Sequence, residues 1–250
     1  MLAIDCGNSR IKWARFEAGR ARDAGHASLR GGADPWALLG AALAGPIDRV
    51  LVANVAGPEV AGRIDAAVRS RLGFAPEFVQ VEARAHGIEC AYREPATLGV
   101  DRWLAMIAAR RLVEGPLAVV SAGTALTFDA VDAGGRHLGG LILPGDRLMI
   151  EALARHTSQI PLVTEAGAPA AGLDLLGRST AVAVAHGTRV ALAAAVDRAV
   201  TTVARALAAD VVLIVTGGNA DGLAAWLASE GEVRADLVLD GLAAIAEDEE

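Results

Sequence analysis

The chain has 250 residues, enough for one large domain or two small ones, and its 53% hydrophobic content with only 4% aromatics calls for a core of packed helices and aliphatic strands. A net charge of −7 with no basic cluster argues against a nucleic-acid surface. No apolar run reaches the roughly 18 residues needed to span a bilayer without a charge or a glycine pair interrupting it.

Asp5 interrupts the apolar start and no basic segment precedes it, which is not the pattern of a secretory signal. Cys6 and Cys90 have no metal-type spacing and are expected to be reduced. The chain therefore reads as cytoplasmic and soluble, without a membrane partner.

The first stretch, Leu2-Ala-Ile-Asp5-Cys-Gly7-Asn8-Ser9-Arg-Ile-Lys12-Trp-Ala-Arg-Phe16, is an apolar run ending in a carboxylate, a short polar turn and a returning run, which predicts a β-hairpin. Hairpins of this kind can wrap a phosphate. Gly7 lets the backbone approach a ligand without a Cβ in the way, and Asn8 and Ser9 supply N–H and hydroxyl donors. Asp5 can hold a hydrated Mg²⁺ that bridges phosphate oxygens, and Lys12 adds a point charge. Lys12 is the only lysine among 23 basic residues. A plain edge hairpin with a turn glycine and a solvated lysine has the same local pattern.

Gly19-Arg20 turns into a third strand near 21–29. Asp34 and Pro35 then open a helix as N-cap and first helical residue, and Gly45-Pro46 closes it. Val50–Asn54 is a buried parallel-type strand. Gly57-Pro58 starts a helix with Val60, Ile64, Val68 and Leu72 on one face and Gly73 as its stop. Residues 78–81 form a strand, 82–98 are irregular and contain the only tyrosine, Tyr92, and a helix runs from Gly99 to about Glu114.

After Gly115-Pro116 the opening pattern returns. Leu117–Val131 is again strand, glycine-polar turn and strand, with a third strand near 137–143. Gly123 matches Gly7, Thr124 matches Asn8 and Ser121 matches Asp5, at an offset of 116 residues. Two halves, 1–116 and 117–250, thus suggest a duplicated domain with a nucleotide between them. A helix over 146–158, a Gly/Pro/Ala loop through 172 and a helical stretch over 178–208, broken at Gly187, follow. The strand at 210–215 runs into Thr216-Gly217-Gly218-Asn219-Ala220, where a backbone pressed against adenosine or phosphate and a tight strand-to-helix turn are equally good readings. Glu247–Glu250 reads as a frayed, solvated tail.

Asp-x-Gly-Asn-Ser-x-x-Lys at 5–12, Gly-x-Asp-Arg at 99–102, Gly-Thr-Ala-x-Thr-x-Asp at 123–129, Gly-Gly-x-Ile-x-Pro-Gly at 139–145, Ser-Thr-Ala at 179–181 and Thr-Gly-Gly-x-Ala at 216–220 together resemble type III pantothenate kinase. The resemblance implies an α/β fold of the actin and sugar-kinase superfamily: two ribonuclease-H-like halves, each a mixed β-sheet with flanking helices, and ATP in the cleft. It also implies a homodimer with pantothenate near the dimer interface, and ATP-dependent phosphorylation of pantothenate to 4'-phosphopantothenate, the first step of coenzyme A biosynthesis.

Carried onto matching positions, the resemblance makes Asp5, Cys6, Gly7, Asn8, Ser9, Arg10, Ile11 and Lys12 the ATP-phosphate loop, with Asp5 the Mg²⁺ anchor and Thr124 a further ATP contact. It makes Tyr92, Gly99, Val100, Asp101, Arg102 and Thr180 the pantothenate site, with Asp101 the catalytic base. Phosphoryl transfer is mainly positioning and charge neutralisation, so a carboxylate kept ionised near a helix N-terminus is adequate for that role. Arg102 can grip a substrate carboxylate by a bidentate pair. A capped helix start with a surface arginine gives the same local pattern.

Ser121 stands where many relatives carry an aspartate associated with an activating K⁺ or NH₄⁺, and a serine hydroxyl would leave such an ion one counter-charge short. No Walker A or Gly-x-Gly-x-x-Gly is present, and the five histidines show no zinc-type spacing. A non-catalytic nucleotide-binding regulator on the same fold and another small-molecule kinase or phosphatase of the superfamily are the competing readings. Retention of Tyr92, Asp101, Arg102 and Thr180 together favours the pantothenate kinase.

Overall fold

A computed structural model describes residues 1–17, 19–164 and 168–249. Residues 165–167 of the expected Gly/Pro/Ala loop and residue 250 of the acidic end lie outside the described residues. The chain divides into two compact units, Met1–Leu112 with Asp236–Glu250, and Val113–Ala235.

In the first unit, β1 (Leu2–Cys6) is buried along nearly its whole length, as its unbroken apolar run requires of a central strand. β2 (Arg10–Glu17) pairs with it antiparallel, and β3 (Arg20–Ser28) pairs with β2 and is largely exposed. α1 (Pro35–Ala42) starts where Asp34 accepts a hydrogen bond from the Trp36 N–H at 3.0 Å. β4 (Val50–Asn54) and the short β5 (Glu77–Phe78) run parallel to β1 on its other side, with α2 (Pro58–Leu72) between them in sequence. The sheet order is β3-β2-β1-β4-β5. One core gathers Leu2, Ile4, Ile11 and Trp13 with Leu39, Ile64 and Val68 of α1 and α2.

Residues 82–98 are more ordered than their composition suggests: β6 (Arg84–Ala85) and β7 (Ile88–Glu89) form a miniature hairpin, and Pro95–Thr97 makes a 3-10 turn. α3 (Val100–Leu112) follows, with nine consecutive-turn positions buried through Ala109 apart from Asp101.

The second unit repeats the plan. β8 (Leu117–Ala122), β9 (Ala125–Val131) and β10 (His137–Pro144) form an antiparallel meander, and after α4 (Asp146–His156) and α5 (Thr180–Leu207) come β11 (Val212–Thr216), α6 (Ala220–Ala224) and β12 (Gly231–Val233). The order β10-β9-β8-β11-β12 copies the first sheet element for element. Phe128, Val120 and Val215 pack with Leu192 and Val196 of α5 in its core.

Two expectations need correction here. α5 runs unbroken for 28 residues through Gly187, because its apolar stripe is buried on both sides of that residue and tertiary packing outweighs one glycine's propensity cost of about 1 kcal/mol. The acidic end is not a frayed tail over its described part. α7 (Leu237–Asp248) is buried at eight of its positions, including every residue from Gly241 to Ala246, and returns to the first unit, where it packs on α3 and β1. Its Glu247 and Asp248 pair with Arg111, each at 2.5 Å, and Glu249 pairs with Arg49. The last helix therefore belongs with the first unit rather than with the half that precedes it in sequence.

Candidate active site

The β1–β2 turn is closed by the Gly7 N–H donating to the Arg10 carbonyl at 3.0 Å, so the donors that the loop offers outward begin at Asn8. Asn8 and Arg10 are exposed, whereas the side chains of Cys6 and Ile11 are wholly buried. The Cys6 thiol is pushed up to about 12 by burial and then by the Asp5 charge, which makes it inert as a nucleophile.

Asp5 and Lys12 face each other across the ladder. Lys12 Nζ donates to Asp236 Oδ1 at 2.9 Å, so the start of α7 reaches the phosphate-type loop. Burial pushes Asp5 up to about 7, and the Asp101 carboxylate adds to the rise, while Lys12 pulls it down and Asp236 pushes it up again. Asp101, Lys12 and Asp236 thus all act on the charge of Asp5.

Asp101 lies in the first turn of α3, where the helix dipole favours a negative charge, and its Oδ1 accepts from the Arg102 N–H at 2.9 Å. A Cβ at position 99 would lie 2.5 Å from that oxygen, so the glycine of the Gly-x-Asp-Arg motif leaves the carboxylate its place. Arg102 is not a surface arginine: it is 7% exposed. Its Nη1 donates to the Tyr92 hydroxyl at 3.1 Å, and its guanidinium carbon stands 5.8 Å from the centre of the Tyr92 ring. Tyr92, Val100, Asp101 and Arg102, expected at one substrate site, do gather at one place in the first unit.

In the second unit the loop equivalent to 7–9 is Gly123-Thr124, closed by the Gly123 N–H on the Ala125 carbonyl at 3.0 Å. Ser121 pairs in register with Thr127 on β9 and with Thr216 on β11, so hydroxyls stand where the first unit carries the Asp5–Lys12 pair. Asp129 is buried with His137, 3.0 Å apart. Thr180 is the first residue of α5 and is exposed, while the preceding Ser179 caps the helix by accepting from the Val182 N–H at 3.3 Å.

Three groups that touch these loops escaped the sequence reading. Asp236 holds Lys12 from 224 residues away, and Asp146 and Arg189 form an ion pair of 2.7 Å beside Gly123. Only a polar residue just before an amphipathic run marked Asp236, and nothing in the local pattern linked Arg189 to Asp146. Among the described residues no cluster of three metal-ligating side chains exists. An Mg²⁺ brought by ATP would take Asp5 as its protein carboxylate and complete its shell with phosphate oxygens and water, the usual manner for this ion, and the partly buried Asp5 beside Lys12 fits that role.

A family profile described as type III pantothenate kinase matches residues 1–202. Type III pantothenate kinase of Nitrosococcus oceani is 39% identical over 255 residues, covering 99% of this chain and 94% of the relative. That of Azoarcus sp. is 40% identical over 253 residues, covering 98% and 90%. Among solved structures, an inorganic polyphosphate/ATP-glucomannokinase from Arthrobacter sp. aligns at a TM-score of 0.50 with 15% identity, covering 100% of this chain and 99% of that one. Likeness at that identity speaks for the fold, and with the repeated five-stranded topology it identifies the duplicated ribonuclease-H-like fold of the sugar kinases. On the family match and the near full-length relatives, the chain belongs to the type III pantothenate kinases.

Proposed function

We propose that in this enzyme, a kinase that phosphorylates pantothenate with ATP on the way to coenzyme A, Asp101 aims the attacking hydroxyl and takes its proton. The oxygen of the primary alcohol forms the new bond to the γ-phosphorus while the bond from that phosphorus to the β–γ bridging oxygen breaks. ADP leaves, and the alcohol proton passes late to the Asp101 carboxylate. Because the transition state is loose, the carboxylate needs position more than basicity, and a seat in the first turn of α3 supplies it.

The 5–12 loop takes the phosphates, with donors from Asn8 and Ser9 and the charge of Lys12, and Thr124 is a further ATP contact. Asp5 would hold the Mg²⁺ that comes with ATP, which would neutralise charge on the phosphates. Tyr92 and Arg102 bind pantothenate, the guanidinium gripping its carboxylate, and Thr180 adds a contact. A monovalent cation beside Ser121 would find the neutral oxygens of Ser121, Thr127 and Thr216 and be one counter-charge short, so activation by K⁺ or NH₄⁺ is expected to be weak.

The observation that supports this reading is the place of Asp101 in the first turn of α3 beside the buried Arg102, whose Nη1 donates to the Tyr92 hydroxyl at 3.1 Å. Steady-state turnover of Asp101→Asn with ATP, Mg²⁺ and pantothenate tests it. Collapse of kcat with little change in either KM supports the role; parental kcat overturns it.

The protein acts as a homodimer in the cytoplasm. Support for the dimer comes from the second unit, where Leu138, Leu141 and Ile142 on β10 are exposed and the neighbouring α4 buries none of its residues. Among the described residues no helix is long and apolar enough to cross a membrane. Light scattering of Ile142→Glu against the parent protein checks the dimer, a monomeric variant being the expected result.

A further inference from the structure

We propose that Arg189 is a positioning residue for the second nucleotide loop, acting through Asp146 and Asn219. The inference rests on the reading of Thr124 as an ATP contact. Residues 122–124 are gripped from two sides. On one, the Gly145 N–H donates to the Thr124 carbonyl at 3.0 Å, and a Cβ at 145 would lie 2.5 Å from the Gly123 oxygen and 2.7 Å from the Thr124 oxygen. On the other, the Asn219 N–H donates to the Ala122 carbonyl at 3.0 Å, and a Cβ at 217 would lie 2.5 Å from that same oxygen. Only glycine permits either approach.

The side chains just beyond the two grips are tied to each other. Arg189, 6% exposed on α5, places Nη2 2.7 Å from Asp146 Oδ2, and Asn219 Nδ2 donates to the same oxygen at 3.3 Å. A buried guanidinium left without its carboxylate is strongly unfavourable, so this contact fixes where the start of α4 sits. The cavity beside the three groups is about 10 Å³, no more than a single water requires. α5 thereby sets the distance between two backbone grips, and those grips set the shape of the loop that carries Thr124.

Initial-rate kinetics and direct ATP titration on the full-length protein test the clasp. Arg189→Met is expected to raise the KM and dissociation constant for ATP about tenfold, because small displacements of a binding loop carry large penalties, while the KM for pantothenate stays within about twofold. Arg189→Lys, which keeps the charge, should lie nearer the parent than Arg189→Met does. Equal loss toward both substrates, or a lowered melting temperature with both KM values unchanged, overturns the inference. Should Arg189→Met fail to fold, Asn219→Ala decides: a selective rise in ATP KM supports the clasp and parental kinetics overturn it. Thr124→Ala separates the two layers of the argument, since unchanged ATP affinity there sinks the site assignment itself, whereas weakened affinity there with a parental Arg189→Met sinks the clasp alone.

Discussion

The two hairpin loops, 6–10 and 122–125, sit at the same place in two sheets of identical strand order, yet they differ in charge. The first crosses its ladder with Asp5 opposite Lys12; the second does so with Ser121 opposite Thr127. A duplicated scaffold has therefore kept its backbone geometry in both copies while concentrating ionic chemistry in one. The charged copy also recruits distant groups, Asp101 from α3 and Asp236 from α7. The neutral copy is instead stiffened from behind by the Asp146–Arg189 pair.

The comparison breaks most visibly if the charged copy can be neutralised at little loss. Asp101→Asn is expected to lower kcat about a thousandfold in a coupled ADP-release assay, within the range typical of removing a positioned acid–base group. Thr124→Ala on the neutral copy is expected to weaken ATP binding only about tenfold, the worth of one hydrogen bond to a charged group, as read by calorimetry.

Stability against pH sharpens the contrast further. The folded protein holds the Asp5 proton up to about 7, whereas the unfolded chain releases it near 3.8, so raising the pH across that window removes stability. Asp5→Asn is expected to melt higher than the parent at pH 8 in the absence of Mg²⁺, by an amount bounded at about 4 kcal/mol. The advantage should fade as the pH is lowered and vanish below about pH 3, where the carboxyl is protonated in both states. Ser121 offers no such dependence.

Smaller effects follow. Asp236→Ala frees Lys12 from a partly exposed partner and should raise ATP KM about threefold, in keeping with an ion pair worth less than about 1 kcal/mol. Parental turnover in potassium and in sodium buffers should agree within about twofold, and Ser121→Asp, which supplies the missing negative charge, should open a gap between them.

Much of this was legible in the linear chain because its signals are local. The apolar runs around Asp5 and Ser121, the N-cap at Asp34 and the glycine-flanked strands all act over a few residues, and each folds as that chemistry demands. The grouping of Tyr92 with Arg102 was supplied by the family resemblance and not by any local pattern in residues 82–98. What escaped was long-range. Nothing near Asp236 or Arg189 announces a partner, because tertiary packing chooses those pairs, and burial of α7 overrides the strongly acidic composition at its end. The miniature hairpin at 84–89 was hidden for the opposite reason, its two-residue strands being too short to show a period.

The return of α7 to the first unit sets an order of assembly. A ribosome delivers residues 1–112 early, but the helix that covers β1 and supplies the partner of Lys12 emerges only after the whole of 113–235 has been made. The half translated first is thus the half completed last, and until then the apolar surface of α3 and β1 waits uncovered. A nascent chain arrested before residue 237 should bind chaperones through that surface, even though every residue proposed to meet a substrate or the nucleotide has already been synthesised.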